Sequence, residues 1–174
     1  MEFNFIATTF RYNEDALIDE LGELFEEFGD LSTTVSATSI DGLVVGLCLK
    51  KPIDFILFLR EKLKVAPWEI RYLLRFIPIE RVILTSASEI KNVSIELMKK
   101  IPDNDSFKIL IEKRHTNLKK NDIIDTIGPY ITSKVDLTNP VWILLVEVIG
   151  KYTGLSLIKN DILFSSMIEK RSFE

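Results

Sequence analysis

The stretch Val141–Ile149, VWILLVEVI, carries one polar side chain, Glu147. It is far shorter than the ~20 residues a membrane-spanning helix needs. A strand that is apolar at every position, rather than at alternate ones, has both faces covered. It therefore belongs in the middle of a sheet with other elements packed on it. The stiff run Asp136-Leu137-Thr138-Asn139-Pro140 leads into it, and a Gly-containing turn leads out to a second strand-like run ending at Lys159. Glu147 is expected to reach the sheet edge or to pair with a Lys or Arg, because a lone buried carboxylate is costly. It is not read as catalytic, since no second carboxylate is visibly paired with it.

The remainder of the chain supplies the partners such a strand needs. EFNFIATTF, residues 2–10, predicts a strand. Leu17, Leu21, Leu24, Phe25 and Phe28 then recur at helical spacing behind Asn13 as a cap, with Gly29 as the stop. TTVSATS and GLVVGLCLKK predict two strands around an Asp41-Gly42 turn. Pro52 suits the first turn of a helix running to about Lys64, and IRYLLRFIPIERVIL predicts a further strand broken at Pro78. This β-α-β-β-α-β order is the split βαβ pattern of ferredoxin-like folds.

Beyond it, Ser86 and Glu89 stand at capping-box spacing before a helix whose buried stripe is Ile90, Val93, Leu97 and Ile101. IPDNDS is a loop. FKILIEKR is a strand with Phe107, Ile109 and Ile111 on one face. A helix with Ile123, Ile124, Ile127 and Ile131 follows, its last turn distorted at Gly128-Pro129. The fold class is therefore α+β in two units: an N-terminal ferredoxin-like domain over residues 1–80 and a second domain over residues 81–174 with a mixed sheet and packed helices.

Charge is unevenly distributed. Residues 1–30 hold nine acids and one base, which leaves +4 on the rest of a chain whose total is −4. Exposed charges further apart than about 10 Å are largely screened at physiological salt. An acidic N-terminal helix is thus compatible with a basic surface elsewhere. The single cysteine, Cys48, excludes a disulfide framework and a Cys-based zinc site. With no basic-then-apolar leader at the start, a cytoplasmic, membrane-free setting is expected.

Enzyme signatures are missing. The seven glycines, at 22, 29, 42, 46, 128, 150 and 154, complete neither GxGxxG nor GxxxxGK. His115 is the only histidine, which excludes a multi-His metal site, and no GxSxG elbow accompanies it. A phosphate-holding Arg-Asn pair would have to be Arg114 and Asn117, which lie outside the ferredoxin-like half. Cys48 lies in an apolar strand and reads as core. No catalytic residue, metal site or cofactor is expected. EKRHTNLKKND does gather Lys113, Arg114, His115, Asn117, Lys119 and Lys120 at a strand end and helix start. There, helix N–H groups and cations can meet phosphate, and His115 and Asn117 can meet an unpaired nucleotide.

FKILIEKRHTNLKKNDIIDTIGPYI, VDLTNP, VWILLVEVIG and TGLSLI together resemble the THUMP domain of tRNA thiouridine synthases, tRNA methylases and pseudouridine synthases. The VDLxNP turn before an apolar strand with a Glu is the most specific part, although the family's usual NPD is NPV here at Val141. RYLLRFIPIERVILTSASEI resembles the junction of a ferredoxin-like domain with THUMP in small stand-alone members. Those members are similar to the adaptor for tRNA cytidine N4-acetylation. The resemblance implies a non-enzymatic adaptor that holds the acceptor end of tRNA and presents it to a separate enzyme, an acetyltransferase first. A subunit serving a methylase or thiouridine synthase, or a small enzyme with an unseen site, are the alternatives. It also implies that Glu147 is structural. Lys113, Arg114, Lys119 and Lys120 are expected to be exposed on phosphates, with Arg71 and Arg75 assisting from the first unit and Lys134, Lys151 and Lys159 next in line.

Overall fold

The computed structural model describes residues 1–173. The chain divides into two compact units, one of residues 2–79 together with 162–173, the other of residues 80–161. The first contains β1 (Phe5–Thr8), α1 (Glu14–Phe28), β2 (Thr34–Ala37), β3 (Leu43–Leu47), α2 (Pro52–Val65) and β4 (Arg75–Pro78). The second contains β5 (Arg81–Leu84), α3 (Ala87–Met98), β6 (Phe107–Arg114), α4 (Lys120–Ile127), β7 (Trp142–Ile149) and β8 (Tyr152–Lys159). The chain then returns to the first unit as β9 (Phe164–Ser165) and α5 (Ser166–Arg171).

In the first unit the strands form an antiparallel sheet in the order β2-β3-β1-β4-β9. Phe5, Ala7, Val44 and Phe76 lie on one face and pack with Leu17, Leu21 and Phe25 of α1 and Phe55, Ile56 and Leu59 of α2. Phenylalanine rings form the centre. Those of Phe25 and Phe55 stack at 3.8 Å, and Phe5 stacks on Phe76 at 4.8 Å. Gly46 makes room for this, because a Cβ there would overlap the Phe5 ring. Gly29 ends α1 at φ 85°, a left-handed conformation that other residues adopt only under strain.

Two carboxylates that α1 and its end contribute are structural. Glu20 is buried and accepts the N–H groups of Arg71, Tyr72 and Leu73 at 2.6, 3.1 and 2.8 Å. Asp30 accepts those of Leu49 and Lys50, each at 2.8 Å, and the Ser32 hydroxyl at 2.8 Å. Burial alone would raise the Asp30 carboxyl, but the bonds from Lys50, Ser32 and Leu49 hold it below its ordinary value.

The second unit is a four-stranded sheet in the order β5-β8-β7-β6. Strands β6 and β7 are parallel and the other neighbours antiparallel. Helix α4 lies in the connection between the parallel strands, as such a crossover requires. Leu144, Val146 and Val148 face Ile90, Val93 and Leu97 of α3 and Ile123 and Ile127 of α4. Ile143, Leu145 and Glu147, on the other face of β7, are also fully buried. The VDLTNP turn is fixed by Asp136, whose carboxylate accepts the N–H groups of Thr138 and Asn139 at 3.0 Å each. Those two bonds, Asn139 first, hold its carboxyl below the ordinary value.

Three expectations are refined. The run from Ile70 to Leu84 is two strands in different sheets, not one interrupted strand, and residues 70–74 are a loop held by Glu20. Glu80 belongs with the second unit, where its N–H bonds to Leu155 and its carboxylate takes the N–H of Leu157, each at 2.9 Å. Residues 162–173 do not continue the second domain. Ser165 pairs with Arg75, the Ser166 N–H bonds to the Leu74 carbonyl, and Arg60 bonds Glu169 at 2.8 Å. No helix among the described residues is long and apolar enough to cross a membrane.

Candidate nucleic-acid interface

Parallel pairing places the C-terminal ends of β6 and β7 side by side, with Arg114 opposite Ile149. The Gly150 N–H, in the turn to β8, donates to the Arg114 carbonyl at 2.8 Å. This ties the edge where the chain leaves the sheet. His115 follows with φ 53°, a left-handed conformation uncommon outside glycine. That bend turns the chain away from β6 toward α4, and Lys119 stands at the N-cap of the helix. Lys113, His115, Asn117, Lys119 and Lys120 are all exposed. Lys151, in the β7–β8 turn, is exposed at the same end of the sheet. The cations predicted from local sequence are thus gathered on one edge beside the N-terminus of α4, where unpaired helix N–H groups favour anions.

Arg114 departs from the expectation. Its side chain is only 24% exposed, and Nη1 donates to Oε2 of Glu147 at 2.9 Å. Register explains the pairing. Glu112 lies opposite Glu147, and Arg114, two residues on, projects from the same sheet face and reaches back to the buried acid. Arg114 is first a partner of Glu147, and it does not stand exposed for a phosphate as the sequence suggested.

The other predicted residues fall elsewhere. Lys159 pairs with Trp142 at the opposite end of β7, seven residues from Ile149, which at about 3.3 Å per residue is roughly 23 Å away. Its ammonium lies 4.1 Å from the centre of the Trp142 ring and 3.8 Å from Asp105, which also accepts the Trp142 indole N–H at 2.8 Å. Lys134 is exposed at this same end, its carbonyl taking the Phe107 N–H at 2.9 Å. Arg71, in the first unit, donates from Nε to the Trp68 carbonyl at 3.1 Å. It lines a groove of about 440 Å³ with Asp19, Glu20, Glu23, Glu27 and Glu69, a strongly acidic setting. Arg75 is half-buried on β4. Cys48 is buried, and burial first, then the Asp30 charge, push its thiol up to about 11, the opposite of what a nucleophile needs.

Sequence reading missed the cluster of Asp105, Trp142 and Lys159. Its members are far apart in the chain: the pairing of β7 with β8 brings Lys159 to Trp142, and the pairing of β6 with β7 brings in Asp105, two residues before Phe107. It also missed Tyr130, which is 53% exposed with the Lys91 ammonium 5.6 Å from its ring.

Residues 85–158 match the THUMP domain. The match begins just after β5 and ends within β8, so the matched segment takes in α3, α4 and the whole parallel pair with its basic edge. THUMP domain-containing protein 1 of Mus musculus is 27% identical over 115 residues, which are 61% of this chain and 33% of that protein. PH1313 from Pyrococcus horikoshii Ot3 superposes with a TM-score of 0.67 at 14% identity, over 91% of this chain and 55% of the other. TrmN from Thermus thermophilus gives 0.57 at 15% identity, over 88% and 44%. A 4-thiouridine synthetase in complex with RNA and ATP gives 0.54 at 18% identity, over 90% and 41%. At such identities the structural likeness speaks for the fold. The chain matches a third of the curated relative and about half of each of these structures.

Proposed function

We infer that this chain is an RNA-binding accessory protein that presents tRNA to a separate modification enzyme in the cytoplasm. The observation that carries this reading is the THUMP match on the unit whose sheet edge gathers Lys113, Lys119, Lys120 and Lys151. Cations on one edge attract the phosphate backbone regardless of sequence. His115 and Asn117, exposed in the bend between them, suit an unpaired acceptor end, where base edges are accessible. The first unit is read as ferredoxin-like, supported by its strand order β2-β3-β1-β4 with both helices on one face.

The chain is not read as an enzyme. Its one cysteine is held as a thiol, its one histidine lies on an exposed bend, and its sequence has no Gly-rich phosphate loop. The partner proposed first is a tRNA cytidine N4-acetyltransferase, on the resemblance of the segment joining the two units. A methylase or thiouridine synthase is the second reading. One structurally similar protein, the 4-thiouridine synthetase in complex with RNA and ATP, favours it.

Purification from native cells with sequencing of the bound RNA tests the role. The expected result is tRNA together with a modification enzyme. Pure protein incubated with tRNA and acetyl-CoA, ATP or S-adenosylmethionine is expected to leave the RNA unchanged. A modified nucleoside formed by the pure protein overturns the accessory reading.

A further inference from the structure

Strand β2 forms one margin of the first unit's sheet and pairs only with β3. The Thr38 N–H donates to the Leu43 carbonyl at 3.2 Å. The strand's alternation then turns the backbone groups of Thr34, Ser36 and Thr38 toward β3, and those of Thr33, Val35 and Ala37 toward the open edge. Open edges are usually guarded by a charge, a proline or a bulge. Residues 31–40, LSTTVSATSI, include no charged residue, proline or glycine, and the register of β2 with β3 is unbroken. Thr34, Ser36, Ala37 and Ser39 are exposed.

This edge is nearly a palindrome about Ser36: Val35 matches Ala37, Thr34 matches Thr38, and Thr33 matches Ser39. An antiparallel copy centred there sets small or β-branched uncharged side chains opposite one another throughout, and Val35 and Ala37 meet as hydrogen-bonded pairs. Helix α1 fits the same axis. It packs on β2 and β3, while α2 packs on β4. Ala16, Glu20, Glu23 and Glu27 line the groove on the flank toward Lys62 of α2. At about 100° per residue, Ile18 and Gly22 fall on the other flank, on the β2 side. A Cβ on Gly22 would meet nothing within 4 Å, so the packing of one chain does not call for glycine there, where it weakens the helix. Strands lie about 4.8 Å apart, so two copies of a helix seated over the β2–β3 boundary stand roughly 10 Å apart across the axis, a distance at which helices pack. Leu31, just before β2, is exposed, as are Phe10 and Tyr12 near the other end, where the Thr9 N–H meets the Gly42 carbonyl. A two-fold axis at Ser36 brings these two ends together, one from each copy.

We propose that the β2 edge is a homodimer interface, on which a second copy of this chain adds its own β2 antiparallel about a two-fold axis at Ser36, with the Gly22 flanks of the two α1 helices in contact. The proposal does not depend on the RNA-binding reading. Ser36 meets its counterpart in a non-hydrogen-bonded pair, with Cα atoms about 4.5 Å apart, within the range a disulfide spans. Thr34 faces Thr38 of the other copy and stands four residues, roughly 13 Å, from the other Thr34. Sedimentation velocity over a concentration series is expected to show wild type passing from monomer to dimer. Under mild oxidation Ser36→Cys is expected to become a disulfide-linked dimer, while Thr34→Cys and wild type, whose Cys48 is buried, stay unlinked. Ser36→Lys sets two ammonium groups face to face. It is expected to stay monomeric at concentrations where wild type is dimeric, and to unfold at the wild-type midpoint when both are dilute.

A wild type that stays monomeric up to its solubility limit overturns the proposal. So does a dimer that Ser36→Lys leaves intact, since the chains then meet elsewhere. Failure of Ser36→Cys to cross-link, or equal cross-linking of Thr34→Cys, overturns the axis at Ser36. Gly22→Gln is the second variant should Ser36→Lys not fold, because nothing in its own chain hinders a side chain there. It is expected to weaken the dimer by about tenfold through crowding of the helix flanks, and an unchanged dimer overturns the arrangement.

Discussion

Glu147 shows how one residue sets the terms for its neighbours. It is fully buried on β7, and Arg114 supplies a guanidinium at 2.9 Å. Removing one partner of a buried ion pair typically costs about 3–5 kcal/mol, whereas replacing both with apolar groups is often nearly neutral. Arg114→Ala is therefore expected to lower the unfolding free energy by about that amount, and Arg114→Met with Glu147→Leu to recover much of the loss. Chemical denaturation of the three variants checks this. A stable Arg114→Ala that loses only RNA affinity would mean that the guanidinium serves the ligand instead. The sequence made Glu147 conspicuous, as one acid in an apolar strand. It offered Arg114 as the partner only as the alternative to a phosphate contact, because the choice between the two follows from the parallel register of β6 and β7.

At the scale of elements, two carboxylates have roles that helical periodicity does not reveal. Glu20 looks like one more acid on the outer face of α1, yet it gathers three consecutive N–H groups of the loop before β4. Asp30 joins the end of α1 to the loop after β3. Its folded-state pKa is depressed. The stabilisation is therefore present above the unfolded value near 3.9 and is lost as pH falls through the lower folded value. Asp30→Asn is expected to cost about 1.5–3 kcal/mol at neutral pH, the scale of hydrogen bonds to a charged group. The difference from wild type should narrow below about pH 4. Thermal unfolding at a series of pH values checks this, and a gap that stays constant into acid would show that the ionised form is not what matters.

Strand and helix positions were mostly legible because each has a local cause: Gly29 at a left-handed cap, Ser86 accepting from the Glu89 N–H, Pro52 in a first turn. The division of residues 70–84 between two sheets was not, because apolar pattern alone does not say which sheet a strand joins.

For the whole molecule, charge and RNA affinity meet at the basic edge. Each lysine–phosphate pairing that a mutation removes is expected to flatten the log–log salt dependence of RNA binding by about 0.7–0.9. Lys119→Ala with Lys120→Ala should thus flatten it by up to about twice that, with the unfolding midpoint unchanged because both residues are exposed. Binding titrations over a range of salt concentrations decide it. An unchanged slope would make these lysines solvated surface only.

What the sequence determined by itself was the order and type of most elements up to β8, the doubly covered strand β7, and the grouping of Lys113 to Lys120 at a strand end and helix start. Each rests on interactions within a few residues or on hydrophobic periodicity. Only the tertiary structure decided that Lys134 and Lys159 stand roughly 23 Å from that edge, that Arg114 turns inward to Glu147, and that residues 162–173 complete the first unit. Those outcomes depend on which strands pair, in which direction and in which register, and residues distant in the chain carry no local mark of that choice.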